Sequence, residues 1–319
     1  MLCEEQNLTA SDVQLQNKIP EYTDLLFNLS IPPMGLGVIF NILCMSYFLL
    51  YQRKSLGDKL IIGLNFADLM TCILAPLFVK FHVNIALDDF RMVNFLFLPM
   101  MVAFTLTLIF TGLLWLFRMF GILRPLNPLN PKKVTVFVIF IIVFCFAAQV
   151  YFLQTTVQDF WGNLFCGEFS VSSSETIQMY ANIGHLFVIA AMLLVFVVVT
   201  VKAVKKLQNE VAVDERSRAD KRTAAVTVSI IVFIPFVAAI PFGVLMLYTS
   251  ITYTHTGSDI TKDDEILWEA DFETYKLYLM LIIVSVVTSA INPCVYICRN
   301  RKLKGWLKGL WQRYVLSKF

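Results

Sequence analysis

The sequence predicts an all-α membrane protein, a seven-transmembrane helix bundle with a short C-terminal interfacial helix. Three observations carry that expectation. Of 319 residues, 58% are hydrophobic and only 15% charged, against roughly 45–50% apolar and about 25% charged in soluble domains. Seven stretches are long and apolar enough to cross a bilayer as helices. The basic residues, finally, gather in alternate loops. With 28 Phe against 13 Gly and no short repeat, collagen-like, coiled-coil and disordered chains are excluded, and the surplus apolar surface must face lipid.

Residues 1–30 are polar and acidic and read as an extracellular N-terminal tail, with no cleavable leader expected. The apolar runs follow as Ile31–Tyr51, Leu60–Val79 (broken only by Asp68), Met92–Phe117, Val134–Gln158, Thr176–Val201, Thr223–Thr254 and Leu277–Cys298. Each reaches the roughly 20 residues that span about 30 Å of hydrocarbon as a helix, whereas barrel strands are half as long. Residues 31–298 therefore form the bundle. Loops 51–59, 118–133 and 202–222 and the tail 299–319 hold 21 of the 26 Lys and Arg, while the opposite side holds 17 of the 23 acids. The basic side is cytoplasmic, which puts the N-terminus outside and the C-terminus inside, as an odd number of spans also requires. Beyond Tyr296, the apolar set Leu303, Trp306, Leu307, Leu310, Trp311 and Tyr314 recurs at three and four, with Lys302, Lys304, Lys308 and Arg313 on the other face. Residues 299–319 thus read as a cytoplasmic amphipathic helix and tail on the inner leaflet.

Sequons at Asn7 and Asn28 fall on the outer side, where glycan acceptors belong. Cys44, Cys72, Cys145, Cys294 and Cys298 lie in or at the ends of spans and read as packing, which leaves Cys3 and Cys166 in oxidising territory.

Polar residues inside lipid are costly, so they should face the bundle interior. Asn41, Asn65, Asp68 and Asn292, with Pro293, are the positions of most interest. In order along the chain they resemble the rhodopsin-like (class A) G-protein-coupled receptors. Asn41 stands at that family's first-helix Asn, and Leu64-Asn65-Phe66-Ala67-Asp68 is similar to its second-helix Leu-x-x-x-Asp element. Phe117-Arg118-Met119 occupies the Asp-Arg-Tyr site, followed by Ile122 and Pro125-Leu126. Asn292-Pro293-Cys294-Val295-Tyr296 matches Asn-Pro-x-x-Tyr, and Leu303 falls at the anchor of the short helix after it. Departures accompany the matches. Phe117 replaces the acid before the Arg, Ala238-Ala239-Ile240-Pro241 replaces Cys-Trp-x-Pro, the fifth span has no Pro and the fourth has no Trp.

The resemblance implies a plasma-membrane receptor that binds an extracellular ligand and activates a heterotrimeric G protein. It implies ligand-facing positions at Met100, Met101, Phe104, Phe242, Met246, Ile282 and Val286, with His185, the only His in the expected spans, also in the bundle. No carboxylate among them pairs with an amine, and Val286 stands where opsins carry their retinal Lys. An apolar, Met-rich lining suits a lipophilic ligand or a peptide's aliphatic part, and the same stripe is equally compatible with plain packing. His185 reads as a helix-contact hydrogen bonder rather than a metal ligand, because no second ligand lies one turn away. The last outer loop, from Asp259 to Lys276, carries a net charge of minus five, which would steer a basic amphipathic peptide or lipophilic cation inward; a merely solvated loop would look the same.

Further roles come with the resemblance. Asp68, Thr107, Ser289 and Asn292 match the family's sodium site, the alternative being a protonated Asp in a hydrogen-bond network; no other cofactor is expected. Arg118, Pro125, Asn292, Pro293 and Tyr296 match its coupling and switch positions. The family's disulfide to the third helix has Cys166 but meets Val93 at the partner position; Cys3 is the candidate partner, the alternative being that Cys3 and Cys166 are both free thiols.

Other classes fit less well. Asp68 is the only carboxylate within a span, so the paired groups of an intramembrane hydrolase are missing and no enzyme is expected. A transporter would show an internal repeat. The remaining alternative is a seven-span chemosensory receptor, channel subunit or scavenger that does not couple to G proteins. The partners expected are ligand, G protein and bilayer, with no nucleic acid.

Overall fold

A chain crossing lipid must satisfy every backbone group within itself, and all secondary structure in the described residues is helical. The structure, a computed structural model, describes residues 10–50, 55–89, 93–123 and 264–314 continuously, a helical stretch at 194–203, and single helical positions elsewhere between 136 and 248. The helices are α1 (Ala10–Leu50), α2 (Leu56–Asp89), α3 (Val93–Leu123), α4 (Asp264–Arg299) and α5 (Arg301–Tyr314). Helices α1 to α4 correspond to the first, second, third and seventh expected spans, and α5 to the interfacial helix.

Among the described residues four segments are long and apolar enough to cross a membrane: Ile19–Leu50, Leu56–His82, Leu96–Phe117 and Glu273–Cys298. The fourth and sixth spans lie largely outside the described residues, and the fifth is represented by the apolar helix Leu194–Ala203.

The helices overrun their apolar segments. Residue 30 marks a change in hydropathy but not a helix start, since α1 runs unbroken from Ala10 through Pro20, Pro32 and Pro33. At 41 residues it is about 60 Å long, twice the hydrocarbon thickness. Likewise α2 continues from the expected end at Val79 to Asp89, and α4 begins at Asp264 rather than Leu277. Backbone hydrogen bonding does not stop where lipid stops, so hydropathy locates the membrane and not the helix end. Near these ends Lys80 bridges to Asp24 at 2.6 Å and lies over the Phe27 ring, tying α2 to α1.

Local signals fix two starts. Ser55 caps α2 reciprocally: the Asp58 N–H donates to Ser55 Oγ at 3.2 Å, and the Ser55 N–H donates to Asp58 Oδ2 at 3.1 Å. Asn300 caps α5, its Oδ1 accepting from the N–H groups of Lys302 and Leu303. Leu303 is fully buried beneath α5, and Trp306 packs on Tyr47 of α1 with ring centroids 5.4 Å apart.

Lipid tails are as apolar as leucine, so helix association here rests on close packing and interhelical hydrogen bonds. Two apolar clusters divide the α1–α4 bundle. One joins Leu26, Phe78, Phe97, Met100, Tyr278 and Ile282; the other joins Cys44, Phe48, Leu64, Leu114, Tyr296 and Leu303. A third places Trp115 and Met119 of α3 against Phe196 and Ala239. Close approach is sharpest at Gly37, where a Cβ would lie 2.5 Å from Cys72 Sγ and 3.3 Å from the Ala290 Cα, atoms of two different helices.

Gly37→Val should therefore force α1 away from α2 and α4 and cost about 1–3 kcal/mol. Its unfolding temperature in detergent should fall below wild type, while Gly35→Ala, with nothing within 4 Å, should not change it.

Candidate functional site

Between the two apolar clusters lies a polar layer. Asp68 on α2 is completely buried, and a carboxylate there needs donors because no water replaces them. Thr107 of α3 donates to its Oδ1 at 2.9 Å, and Asn292 Nδ2 of α4 donates to its Oδ2 at 2.9 Å. The Ser289 hydroxyl, one turn before Asn292, supplies a further hydrogen bond to the same carboxylate. The spacing explains the convergence: residues three apart on α4 share one face, and Thr107 lies on the buried side of α3 with Ala103 and Thr111.

Asn41 extends the layer to α1. Pro293 has no N–H, so the Ser289 carbonyl four residues earlier lacks its helical donor. Asn41 Nδ2 donates to that carbonyl at 3.3 Å while also donating to Gly37 O at 2.9 Å. The Pro293 carbonyl in turn accepts from Cys44 Sγ at 3.7 Å. The proline of α4 is thus stitched to α1 by two side chains one turn apart. Within the layer Asn41 Oδ1 and Asn292 Oδ1 are buried with no hydrogen-bond partner among the described residues, as is Asn65 Oδ1.

Of the ligand-facing positions, Met100 and Met101 of α3 and Ile282 and Val286 of α4 come together in one buried cluster. Phe104 does not join them; half-buried, it packs with Trp115, Met119 and Phe196. His185, Phe242 and Met246 lie outside the described residues, as do Pro125, Asn7, Cys3 and Cys166. Arg118 is in α3, its side chain likewise outside the description, and its neighbour Phe117 packs half-buried against the inner cluster. Tyr296 is buried edge-on to Phe48. Asn28 is exposed but helical, not part of an extended tail, and the Ser30 hydroxyl of its sequon is buried, donating to Phe27 O at 2.6 Å.

With that geometry in place the comparison with known families is decisive. The model of the seven-transmembrane receptors of the rhodopsin family matches residues 40–296. The chain belongs to the rhodopsin family of seven-transmembrane receptors. No curated protein matches this receptor. Members of the family are membrane receptors rather than enzymes, and the polar layer of this receptor, from Asn41 to Asn292, lies within the matched residues.

One buried pair in the receptor escaped sequence reading. The second apolar run ends at Val79 before Lys80, which left His185 as the sole spanning histidine; the membrane-crossing segment of α2 instead runs through His82. His82 is fully buried, its ring stacked on Phe78 at 4.7 Å. Its Nδ1 donates to Phe78 O at 2.7 Å, which fixes the tautomer, so its Nε2 accepts from the Tyr275 hydroxyl of α4 at 2.5 Å. Helical spacing was the available signal, because His82 continues the buried row of Thr71, Ala75 and Phe78.

Tyr275→Phe should remove that donor and destabilise the receptor by about 1–2 kcal/mol. In a double-mutant cycle with His82→Phe, read from unfolding in detergent, the two changes should be non-additive by about 0.5 kcal/mol or more; strict additivity would separate the residues.

Proposed function

We propose that this receptor resides in the plasma membrane with its N-terminus outside, binds an extracellular ligand and activates a heterotrimeric G protein. The polar layer is the observation that carries the reading. It links four helices, and two of them lead directly to the coupling positions: α3 ends shortly after Arg118, and α4 carries Asn292, Pro293 and Tyr296. A change of helix position at the layer is therefore transmitted to the inner ends. Pro125, with Arg118, belongs to the inner surface that would receive a partner's helix. Supporting the orientation, 21 of the 26 basic residues occupy the loops and the C-terminal tail assigned to the cytoplasmic side.

The ligand class that fits is a basic amphipathic peptide or a lipophilic small molecule. Met100, Met101, Ile282 and Val286 give the bundle interior an apolar, Met-rich character, with Phe242, Met246 and His185 as further contacts of the proposed ligand and Phe104 packed instead beside Trp115 and Phe196, and the acidic last outer loop favours cations. Asn7 and Asn28 are the glycan acceptors, and Cys3 with Cys166 the disulfide that would draw the N-terminal segment to the mouth.

The residues around Asp68 fit a sodium ion. All the donors, from Asp68, Thr107, Ser289 and Asn292, are hard oxygens, and Asn292 Oδ1 is a buried orphan acceptor. When bound, the ion supplies the positive charge that a buried carboxylate lacks; the four side chains hold it and keep water out. Replacing choline chloride by sodium chloride should raise the unfolding temperature of the wild-type receptor and leave Asp68→Asn unchanged.

Activity is tested by reconstituting the receptor with promiscuous G proteins and measuring nucleotide exchange during a ligand screen. Exchange supports coupling; current without G protein points to a channel subunit instead. Because Phe117 leaves Arg118 without the adjacent acid that stabilises inactive relatives, basal exchange should be high. Losing about 1.4 kcal/mol of inactive-state preference raises the active to inactive ratio tenfold. Phe117→Asp should lower basal exchange and Arg118→Ala abolish it at matched surface expression. If wild type and both variants stay at the mock-transfected baseline, constitutive coupling is wrong.

A further inference from the structure

The outward face of α4 is a continuous stripe of Leu277, Met280, Val284, Val287 and Ile291, exposed at every third or fourth residue. At its upper end the surface is concave. A cleft of about 810 Å³ opens toward the membrane between α4 and the Pro241–Tyr248 stretch, with Tyr22 of α1 among its walls. That volume falls within the roughly 300–1,000 Å³ of small-molecule sites, and Leu245 in its wall belongs to the buried cluster of Met100 and Val286.

The walls are apolar except at one end. There Glu273 and Lys276, an ion pair one turn apart, line the mouth together with Thr274. Glu273 opens the apolar segment Glu273–Cys298, so the pair stands where hydrocarbon gives way to headgroups. The Tyr22 hydroxyl donates to the Lys276 carbonyl at 3.3 Å, holding the α1 and α4 walls together. An adjacent cation and anion complement a zwitterion: a purely anionic head would meet Glu273, and a purely cationic one Lys276. The rings of Tyr22 and Tyr248 also suit a quaternary ammonium.

We propose that this cleft is a binding site for a single-chain zwitterionic phospholipid, a lysophosphatidylcholine, with its phosphate toward Lys276, its choline toward Glu273 and its acyl chain against Leu277, Met280 and Val244. The cleft adjoins the interior cluster through Leu245, and photolabelling reads lipid binding whether or not the receptor couples to a G protein.

The test uses the full chain in nanodiscs of phosphatidylglycerol with a lysophosphatidylcholine carrying a diazirine in its acyl chain. Photolabelling should saturate and map to the peptides containing Leu277–Met280 and Val244–Tyr248. Excess unlabelled lysophosphatidylcholine should reduce it about tenfold, equivalent to 1.4 kcal/mol of competition, while lysophosphatidic acid and sphingosine should not compete. Leu277→Trp, which fills the cleft from its lipid-facing wall, should lower labelling by a similar factor without changing the unfolding temperature. Glu273→Lys gives a second readout: preference should shift from lysophosphatidylcholine to lysophosphatidic acid. Labelling that does not saturate, is equal for all three lipids or ignores both variants means annular lipid only and overturns the site. Equal competition by two-chain phosphatidylcholine overturns the single-chain assignment.

Discussion

A carboxylate with no access to bulk water organises this receptor. Asp68 lies at the middle of α2, and its burial is tolerable only if other helices bring donors to it. Thr107 does so from α3, Asn292 and Ser289 from α4. The register of three helices is thereby set at one point, and apolar packing fills in above and below it. Had Asp68 been leucine, van der Waals contact alone would choose among many nearly equivalent slides of one helix along another.

Under the proposed function, the placement of that layer also matters. It separates a cluster holding Met100, Met101 and Ile282 from one holding Tyr296 and Leu303. Each cluster is densely packed and resists continuous deformation, so displacement of one relative to the other is concentrated in the hydrogen-bonded layer between them. Hydrogen bonds can exchange partners at modest cost, and Asn41 and Asn292 keep unused acceptor oxygens within it. Such a layer is suited to two discrete arrangements.

The sequence revealed what lipid penalises and concealed what helices do beyond it. Asn41, Asp68 and Asn292 stood out because polar groups in apolar runs are rare, and all three meet in the structure. The amphipathic period after Tyr296 anticipated α5, whereas the cap that Ser55 and Asp58 form on α2 was not read from the sequence. Helix ends were misplaced because hydropathy falls at Lys80 although α2 continues; Lys80 reaches Asp24 and keeps its charge near water. The same fall hid His82, whose burial is decided by Phe78 and Tyr275. Phe104 was grouped with Met100 and Met101 because the resemblance implies all three as ligand-facing; one turn further along α3 it packs instead in the cluster shared with Phe196.

The contact between Asn41 and the Ser289 carbonyl has a mutational consequence. Because Pro293 has no N–H to give that carbonyl, Asn41 is the donor that satisfies it. Restoring an amide at position 293 would make Asn41 redundant there, whereas losing Asn41 first would strand a buried carbonyl. The two sites are therefore coupled: what the loss of Asn41 costs depends on which residue stands at position 293. Residues 252 positions apart in the chain thus constrain each other through one missing hydrogen.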